Sequence, residues 1–363
     1  MGLSNLILFL NHWFSQPLDP VSNGAVPDGL ARLNRYPVSS SALPNFCPML
    51  NVGGFVRILI IKPSSFGDII HGLLVAERLR SQIPGVQIDW VARDIFAGLV
   101  EASGLVDRVL LFKRSPGGFV RVCREIRQET YDVVLDMQGL ARSGIMTFSA
   151  KAKVKLGRFD AREGSRFFYK VSIPKPPGPG PYHAVEILRQ FQRSMGLYDL
   201  DPVALDFAKS AAVPGSPPEG AILLFPESRR AEKEWSGFGE LAKRLAAKYP
   251  DRTIGWLGTG DGPMGSSGQM PGNVVDYRGK VPLASLPAAM RNASCIVAND
   301  SGPMHLAAAM GRPVIAVFGP TDPRQYGPYP ENCSTNVSIR GEGGDLSNVS
   351  VEEVEESIQN LLV

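Results

Sequence analysis

Cysteine is scarce in this chain, which has four cysteines among its 363 residues. Cys47, Cys123, Cys295 and Cys333 are far apart and form none of the short-spaced pairs that bind zinc, and they suggest no disulfide framework. Because Cys123 and Cys295 lie within apolar patterns, we predict buried thiols in a protein from a reducing compartment.

Long apolar runs and a strong net charge are also absent. The longest apolar run near the N-terminus, residues 6–10, falls far short of the roughly 20 residues that a membrane-spanning helix needs. It also lacks the basic flank and small-residue cleavage site of a signal peptide. The net charge of +3 is too small to indicate a nucleic-acid partner by itself.

Two familiar phosphate-binding motifs and one metal-binding pattern are missing. The turn after the first predicted strand, residues 63–68, has neither G-x-G-x-x-G nor a G-K-[ST] ending, so neither hydride transfer nor nucleoside triphosphate hydrolysis is supported. His71, His183 and His305 lie too far apart in sequence for a recognised metal-ligand spacing. We therefore predict no metal ligand among them.

What the chain does contain is an alternation of apolar strand-like runs with helical patterns, which is typical of doubly wound parallel sheets. The predicted strands are 56–62, 86–92, 108–112, 133–135, 221–225, 252–257, 295–298 and 314–318. The predicted helices are 69–82, 119–128, 183–195, 237–248, 283–291 and 304–310. A capping box formed by Ser350 and Glu353 predicts the start of a last helix, which runs to 361.

The length indicates two domains of roughly 150 residues each. The Pro- and Gly-rich segment 209–220 is the predicted boundary, which gives domains 56–212 and 213–363. Residues 1–55 are rich in Pro, Ser, Asn and Gly and have no regular period after residue 14, so we predict a poorly ordered extension.

The segment 295–323 carries the strongest signal for a binding site. Two apolar strands are each followed at once by a turn, and the turn Asp300-Ser301-Gly302-Pro303 leads into a predicted helix that contains His305. Free N–H groups at such a helix start attract anions, so a phosphate-bearing ligand is predicted. The alternative is that Asp300 or Ser301 only caps the helix.

Two other strand-end turns carry charged side chains. Asp68 follows the first strand and is a candidate general base, although a role as helix cap is equally consistent with the local sequence. After the strand at 221–225, one loop contains Ser228, Arg229 and Lys233, and positive charge there would suit a diphosphate leaving group. Solvated surface charge is the alternative for any single one of these residues.

A basic segment extends from Arg142 to Lys170, with eight Lys and Arg residues against two acids, Asp160 and Glu163. Such a local excess of positive charge attracts an anionic partner.

Seven short motifs occur in order along the chain: Lys62-Pro-Ser-Ser-Phe-Gly-Asp68-Ile-Ile-His71, Asp136-Met-Gln-Gly-Leu-Ala-Arg-Ser143, Ala161-Arg-Glu163 with Phe167-Phe-Tyr169, His183-Ala-Val-Glu186, Lys233-Glu-Trp235, Asn299-Asp-Ser-Gly-Pro-Met-His-Leu306 and Gly319-Pro-Thr-Asp-Pro323. In these motifs the chain resembles, from about Val56 to the C-terminus, the ADP-heptose-dependent lipopolysaccharide heptosyltransferases of glycosyltransferase family nine.

The resemblance implies a GT-B architecture, in which two Rossmann-like doubly wound domains face each other across a cleft. It also implies an inverting transfer that needs no metal or cofactor, with Asp68 as base and Lys233 at the leaving diphosphate. The implied residues for the donor, ADP-heptose, are Ser228, Arg229, Asp261, Asp300, Ser301, Gly302, Pro303 and His305. Those implied for the acceptor are Ser65, Gly67, His71, Gln138, Arg142, Arg158 and Arg162.

The implied acceptor is the Kdo sugar of lipid A, an anionic glycolipid, which places the enzyme in the cytoplasm with peripheral contact at the inner face of the inner membrane and no nucleic-acid partner. The chain departs from the family at Arg229, where a hydroxyl residue is usual, and Asp261 is the nearest candidate for an acidic ribose contact. Two alternatives stay open: transfer of another nucleotide-activated sugar in glycan assembly, and a catalytically silent nucleotide- or glycan-binding protein on the same fold.

Overall fold

A computed structural model of the chain describes residues 56–198, 203–260, 264 and 270–362. The predicted extension 1–55 and Asp261 lie outside these residues. Two six-stranded sheets, parallel throughout, form the framework, as the alternating pattern predicted. None of the helices in the described ranges is long and apolar enough to cross a lipid bilayer.

The first sheet has the order β3-β2-β1-β4-β5-β6. Its strands are β1 (Arg57–Ile61), β2 (Gln87–Arg93), β3 (Arg108–Phe112), β4 (Thr130–Asp136), β5 (Lys151–Gly157) and β6 (Val171–Ser172). The helices of this half are α1 (Phe66–Gln82), α2 (Asp94–Ala102), α3 (Pro116–Gln128), α4 (Ala141–Ser149) and α5 (Ala184–Ser194), with a 3₁₀ turn at Ser165–Phe168.

The second sheet has the order β12-β11-β10-β7-β8-β9, which repeats the strand order of the first when each half is counted from its own first strand. Its strands are β7 (Ile222–Phe225), β8 (Ile254–Trp256), β9 (Val274–Asp276), β10 (Cys295–Asn299), β11 (Val314–Phe318) and β12 (Asn336–Arg340). The helices are α6 (Phe238–Lys248), α7 (Leu286–Met290), α8 (Gly302–Ala309), α9 (Pro323–Tyr326) and α10 (Val351–Leu362), with 3₁₀ turns at Ala231–Lys233, Leu283–Ser285, Glu342–Gly344 and Leu346–Asn348.

This strand order creates a topological switch point in each sheet, between β1 and β4 and between β7 and β10. Connections leave the sheet in opposite directions at such a point, so a crevice opens beyond the carboxyl ends of the strands, and ligands bind there in open parallel sheets. The predicted site turns after β1, β7 and β10 all lie at these two crevices.

One apolar core joins the two halves. Buried residues of α1, α5 and α8, among them Leu73, Leu188 and Met304, belong to the same cluster, while each sheet has a further core on its other face. Because the shared core includes helices from both halves, the crevices are held next to each other. The proposed boundary between domains 56–212 and 213–363 stays a prediction.

The structure corrects several predicted boundaries. Helix α1 begins at Phe66 and not at 69, α8 begins at Gly302 and not at 304, and the predicted helix 283–291 is a 3₁₀ turn followed by the short α7. In the first two cases a serine precedes the helix as its N-cap, and the residues after it already have helical conformation.

Four strands were missed, and β5 shows why. Its alternation of lysine with apolar residues was interpreted as a basic segment, but that period of two belongs to a strand with one solvated face. Lys153 pairs with Asp132 at 2.7 Å, and Lys155 donates to the carbonyl of Phe148 at 3.1 Å. These lysines are therefore tied to the surface around β5.

A charged cluster surrounds Arg57 at the amino-terminal end of β1, opposite the end that leads to Asp68. Asp89, whose side chain is 3% exposed, accepts from Arg57 and from the hydroxyl of Tyr131, both at 2.9 Å, and Arg57 also pairs with Glu129. Removal of one partner from a buried ion pair leaves the other charge buried without an opposite charge, and this lowers the free energy of unfolding.

We predict that Asp89→Ala lowers the free energy of unfolding by about 3 kcal/mol, because Tyr131 and part of the Arg57 charge lose their buried partner. Glu129→Ala, which removes a side chain that is 31% exposed, should cost less than about 1 kcal/mol. Urea unfolding of both variants measures the difference, and equal losses would contradict the buried-pair explanation.

Candidate active site

A cavity of about 970 Å³ is lined by residues from both halves of the chain. It includes most of the predicted catalytic and donor-binding residues together with three of the predicted acceptor-binding residues. These are Ser65, Gly67, Asp68, His71, Ser228, Arg229, Lys233, Asp300, Ser301, Gly302, Pro303 and His305. The turns that the sequence placed at separate strand ends thus meet around one space.

Four predicted acceptor residues, Gln138, Arg142, Arg158 and Arg162, do not line this cavity. They follow β4 and β5 in the first half, to one side of Asp68. Arg158 makes a two-pronged pair with Asp160 at 2.8 and 2.6 Å. Burial lowers the pKa of Arg158, but the hydrogen bond and charge of Asp160, with the more distant charge of Asp68, raise it overall.

Both carboxylate oxygens of Asp68 have polar partners. Its Oδ2 accepts from the backbone N–H and the hydroxyl of Ser65 at 3.0 and 2.7 Å, and its Oδ1 lies 3.0 Å from Nζ of Lys62. Ser65 is the N-cap of α1, so Asp68 does stabilise the helix start. With 41% of its side chain exposed, Asp68 is also open to the cavity, so both predicted roles are compatible with its geometry.

Lys62 helps to lower the pKa of Asp68. Burial raises the pKa of the Asp68 carboxyl, but the Lys62 ammonium and the hydrogen bonds from Ser65 outweigh it and hold that pKa well below its usual value. Burial lowers the pKa of Lys62, whose side chain is 2% exposed, although Asp68 opposes this. In the sequence, Lys62 is only a lysine at the end of an apolar strand, and this local pattern does not predict its pairing with Asp68.

Asp136 organises the loop after β4. Its Oδ1 accepts from the backbone N–H groups of Gln138 and Gly139, both at 3.0 Å, and its Oδ2 accepts from the hydroxyl of Tyr169 at 2.8 Å. Burial raises the pKa of Asp136 even though these hydrogen bonds oppose it. The Asp136 carboxylate therefore holds the start of this loop in place.

On the other side of the cavity, Nζ of Lys233 lies 2.5 Å from Oδ2 of Asp300. Asn299 makes two hydrogen bonds to the loop that carries Lys233. Its Oδ1 accepts from the N–H of Trp235 at 3.1 Å, and its Nδ2 donates to the carbonyl of Pro226 at 2.6 Å. Asn299 ends β10 and Asp300 follows it, so one strand end positions both the lysine loop and its carboxylate partner.

Helix α8 starts directly after this pair, with Ser301 as its N-cap. The Ser301 hydroxyl is buried and has no hydrogen-bond partner within the described residues. The first N–H groups of a helix lack intrahelical acceptors and carry partial positive charge. Lys233 and this helix start together provide a site for anionic oxygens.

The turn after β8 donates backbone N–H groups to a side chain from the loop after β7. Glu227 accepts from the backbone of Thr259 at 2.7 Å and of Gly260 at 2.9 Å. Glu227 lines the cavity, as do the apolar side chains of Leu257 and Tyr277. Sequence reasoning missed Glu227, because nothing local indicates that two strand-end turns lie next to each other.

Three histidines that are remote in sequence lie together, and two of them, His71 and His305, line the cavity. Nε2 of His71 lies 3.0 Å from Nδ1 of His305, and the rings of His71 and His183 are 5.9 Å apart. Burial lowers the pKa of all three, that of His305 to about 4. They are therefore neutral near pH 7, and no group of metal-ligating side chains is found in the described ranges.

The model of glycosyltransferase family 9 (heptosyltransferase) matches residues 119–251 and 266–354. The chain belongs to this family. It is 30% identical to lipopolysaccharide heptosyltransferase 1 of Escherichia coli K12, over 84% of this chain and 100% of that protein. It is also 30% identical to the Pseudomonas aeruginosa protein of the same name, over 76% of this chain and 81% of the relative.

The solved structure of E. coli heptosyltransferase WaaC with ADP matches this fold with a TM-score of 0.69 and 26% identity, covering 84% of this chain and 100% of that one. The predicted family and the predicted GT-B architecture are confirmed, and the chain is a glycosyltransferase. The roles of the individual site residues stay predictions.

We predict that Lys62→Met raises the pKa of Asp68, because methionine fills the buried space and removes the positive charge next to Oδ1. An opposite charge at this range lowers a carboxyl pKa by about 1 to 3, so a rise of similar size is expected. NMR titration of isotope-labelled aspartate carboxyl carbons measures it. Lys153→Met, which removes the surface partner of Asp132, is the control and should leave the Asp68 titration unchanged. An unmoved Asp68 in Lys62→Met would contradict the electrostatic explanation.

Proposed function

We propose that this glycosyltransferase moves a heptosyl residue from ADP-heptose to the Kdo and inner-core region of lipopolysaccharide, with inversion at the anomeric carbon. The observation that carries the proposal is the pairing of two charge sites in one cavity: the ionised Asp68 on the first half, and Lys233 with the start of α8 on the second. The names of the relatives support the choice of heptose and lipopolysaccharide.

Asp68 acts as the general base. A hydroxyl of the acceptor attacks the anomeric carbon of the heptose while its proton passes to the Asp68 carboxylate, and the bond from that carbon to the diphosphate oxygen breaks. The low pKa of Asp68 means that its carboxylate carries no proton before the reaction, and Ser65 and Lys62 fix its orientation.

Lys233 and the N–H groups at the start of α8 stabilise the departing diphosphate. Negative charge grows on that leaving group as the glycosidic bond breaks, and donors that are already in position act most strongly on charge that develops in the transition state. Asp300 holds Lys233 beside the helix start, so the ammonium needs little reorganisation. These groups can bind the diphosphate oxygens without a metal, and we propose no cofactor.

The acceptor binds on the first half, residues 56–212, and the nucleotide sugar on the second, residues 213–363. Gln138, Arg142, Arg158 and Arg162 lie to one side of Asp68, and three of them are cationic, which suits the phosphates and carboxylates of an anionic glycolipid. Such an acceptor places the enzyme at the cytoplasmic face of the inner membrane, in peripheral contact.

A donor screen tests the proposed function. The full chain is incubated with Kdo-containing lipid A and with ADP-heptose, a UDP-sugar or a GDP-sugar, and nucleoside diphosphate release is measured with and without acceptor. Release from ADP-heptose that requires the acceptor is the expected result. Preference for another donor would replace the heptose assignment, and no acceptor-dependent release from any donor would contradict glycosyl transfer to this lipid.

We predict that Asp68→Asn lowers turnover by about 10²- to 10⁴-fold with little change in affinity for ADP. Asparagine keeps the size and the hydrogen-bond acceptor for Ser65 but does not take up a proton. Asp132→Asn, at a surface aspartate paired with Lys153, is the matched control. Near-normal turnover of Asp68→Asn would leave Asp68 with only its function at the helix start.

Lys233→Ala should raise the activation barrier by on the order of 2 to 4 kcal/mol and weaken binding of intact donor less, because the lysine interacts most strongly with developing charge. Lys233→Arg should recover only part of the loss, since a planar guanidinium does not place its charge where the ammonium does. Lys248→Ala removes an exposed partner of Glu355 in the same half and serves as control. A large loss of donor affinity with unchanged turnover at saturation would make Lys233 a plain binding residue.

A further inference from the structure

Helices α1 and α8 touch through two glycines, each of which faces a ring from the other helix. A Cβ on Gly67 would overlap Cδ2 of the His305 ring and lie 3.0 Å from its Nε2. A Cβ on Gly302 would overlap the ring of Phe66 and lie 2.7 Å from the Phe66 Cβ. The contact is reciprocal, and we call these four residues the glycine–ring junction.

The glycines are needed here for their missing side chains and not for their backbone freedom. Neither Gly67 nor Gly302 is among the described residues with positive φ. Alanine is a better helix former than glycine, and both positions lie in the first turn of a helix. What glycine contributes is room for an aromatic ring against the backbone of the neighbouring helix.

A hydrogen bond fastens the same contact one turn further along α1. Nε2 of His71 lies 3.0 Å from Nδ1 of His305, the two rings meet edge to face, and both residues are buried, with 4% and 8% exposure. His71 belongs to the first half and His305 to the second, so this bond joins the halves directly. It also fixes the orientation of the ring that lies on Gly67.

The junction is directly connected to the two charge sites. Gly67 precedes Asp68 in the chain, and Gly302 follows Asp300 with only Ser301 between them. Any change in the separation of α1 and α8 therefore shifts Asp68 relative to the Lys233–Asp300 pair. Interiors as tightly packed as this cannot absorb an added methyl group without movement.

We propose that Gly67 and Gly302 are positioning residues, which set the distance between the two halves so that Asp68 reaches the acceptor hydroxyl while the diphosphate is held at α8. The proposal deepens the function proposed above and rests on it for its catalytic consequence. A misplacement of about 1 Å can cost about 10²-fold in rate, so small changes at the junction should have large effects on turnover.

The test is a double-mutant cycle between Gly302→Ala and Phe66→Ala in the full chain. If Gly302 exists to admit the Phe66 ring, removal of that ring makes room for the methyl group, and the effect of Gly302→Ala becomes small in the Phe66→Ala background. The cycle is measured in the free energy of unfolding, in kcat and KM with ADP-heptose, and in the affinity for ADP.

We expect Gly302→Ala to lower kcat by at least about tenfold with little change in ADP affinity, and Phe66→Ala to restore part of the loss. Gly118→Ala in α3 is the matched control, because a Cβ there would lie 2.5 Å from the carbonyl oxygen of Lys113, within the first half and away from the cavity. It should lower stability and leave kcat unchanged. If Gly302→Ala alone does not fold, folding of the double variant supports the proposal.

Three results would overturn it: normal kcat in Gly302→Ala, an equal loss of kcat with or without the Phe66 ring, and loss of ADP affinity that Phe66→Ala does not restore. The last would mean that the methyl group blocks the donor pocket. Failure of the proposed function appears differently, as absence of turnover by the unaltered chain with ADP-heptose. The unfolding cycle uses no substrate, so absence of coupling there refutes the junction whatever the reaction is.

Discussion

Helix α1 begins just after β1 ends, helix α8 begins just after β10 ends, and the first turns of these two helices are in contact. This contact requires that the carboxyl ends of both parallel sheets face each other, since the first turn of a helix after a strand lies beyond that strand's end. The shared apolar core under α1, α5 and α8 holds the two sheets in this arrangement. Burial of that core stabilises the contact but does not by itself define the distance between the helices, because the hydrophobic effect is non-directional. The close-packed glycine–ring contacts define that distance.

Charge is distributed across this contact in a way that suits glycosyl transfer. On one side a carboxylate, Asp68, is paired with a buried ammonium, Lys62, and on the other an ammonium, Lys233, is kept in place by a carboxylate, Asp300. In each pair one partner is more buried than the other: Lys62 is less exposed than Asp68, and Asp300 is less exposed than Lys233. The more exposed group of each pair can therefore interact with ligand while its partner holds it in place.

Local pattern predicted the parts of the fold that depend on a few neighbouring residues. The apolar strands 108–112 and 314–318 were predicted with their observed bounds, because each is a short apolar run between turn residues. Strand β5 was missed because alternating lysines were taken for a patch, and the start of α1 was placed late because the capping role of Ser65 was not recognised. Strands such as β6, with two residues, depend on a neighbouring strand for their conformation and have no signal of their own.

The sequence by itself determined the family, the two-sheet α/β architecture and the strand-end turns that carry Asp68, Lys233 and Asp300, because a strand followed by a polar turn is a local property and its place at a sheet edge follows from parallel topology. Only the tertiary structure decided which of these turns face one another. The meeting of His71 with His305, the closing of the Thr259 turn by Glu227 and the fit of Phe66 against Gly302 join residues that are 234, 32 and more than 200 positions apart. Such contacts arise from the packing of whole helices and sheets, and no local sequence pattern records them.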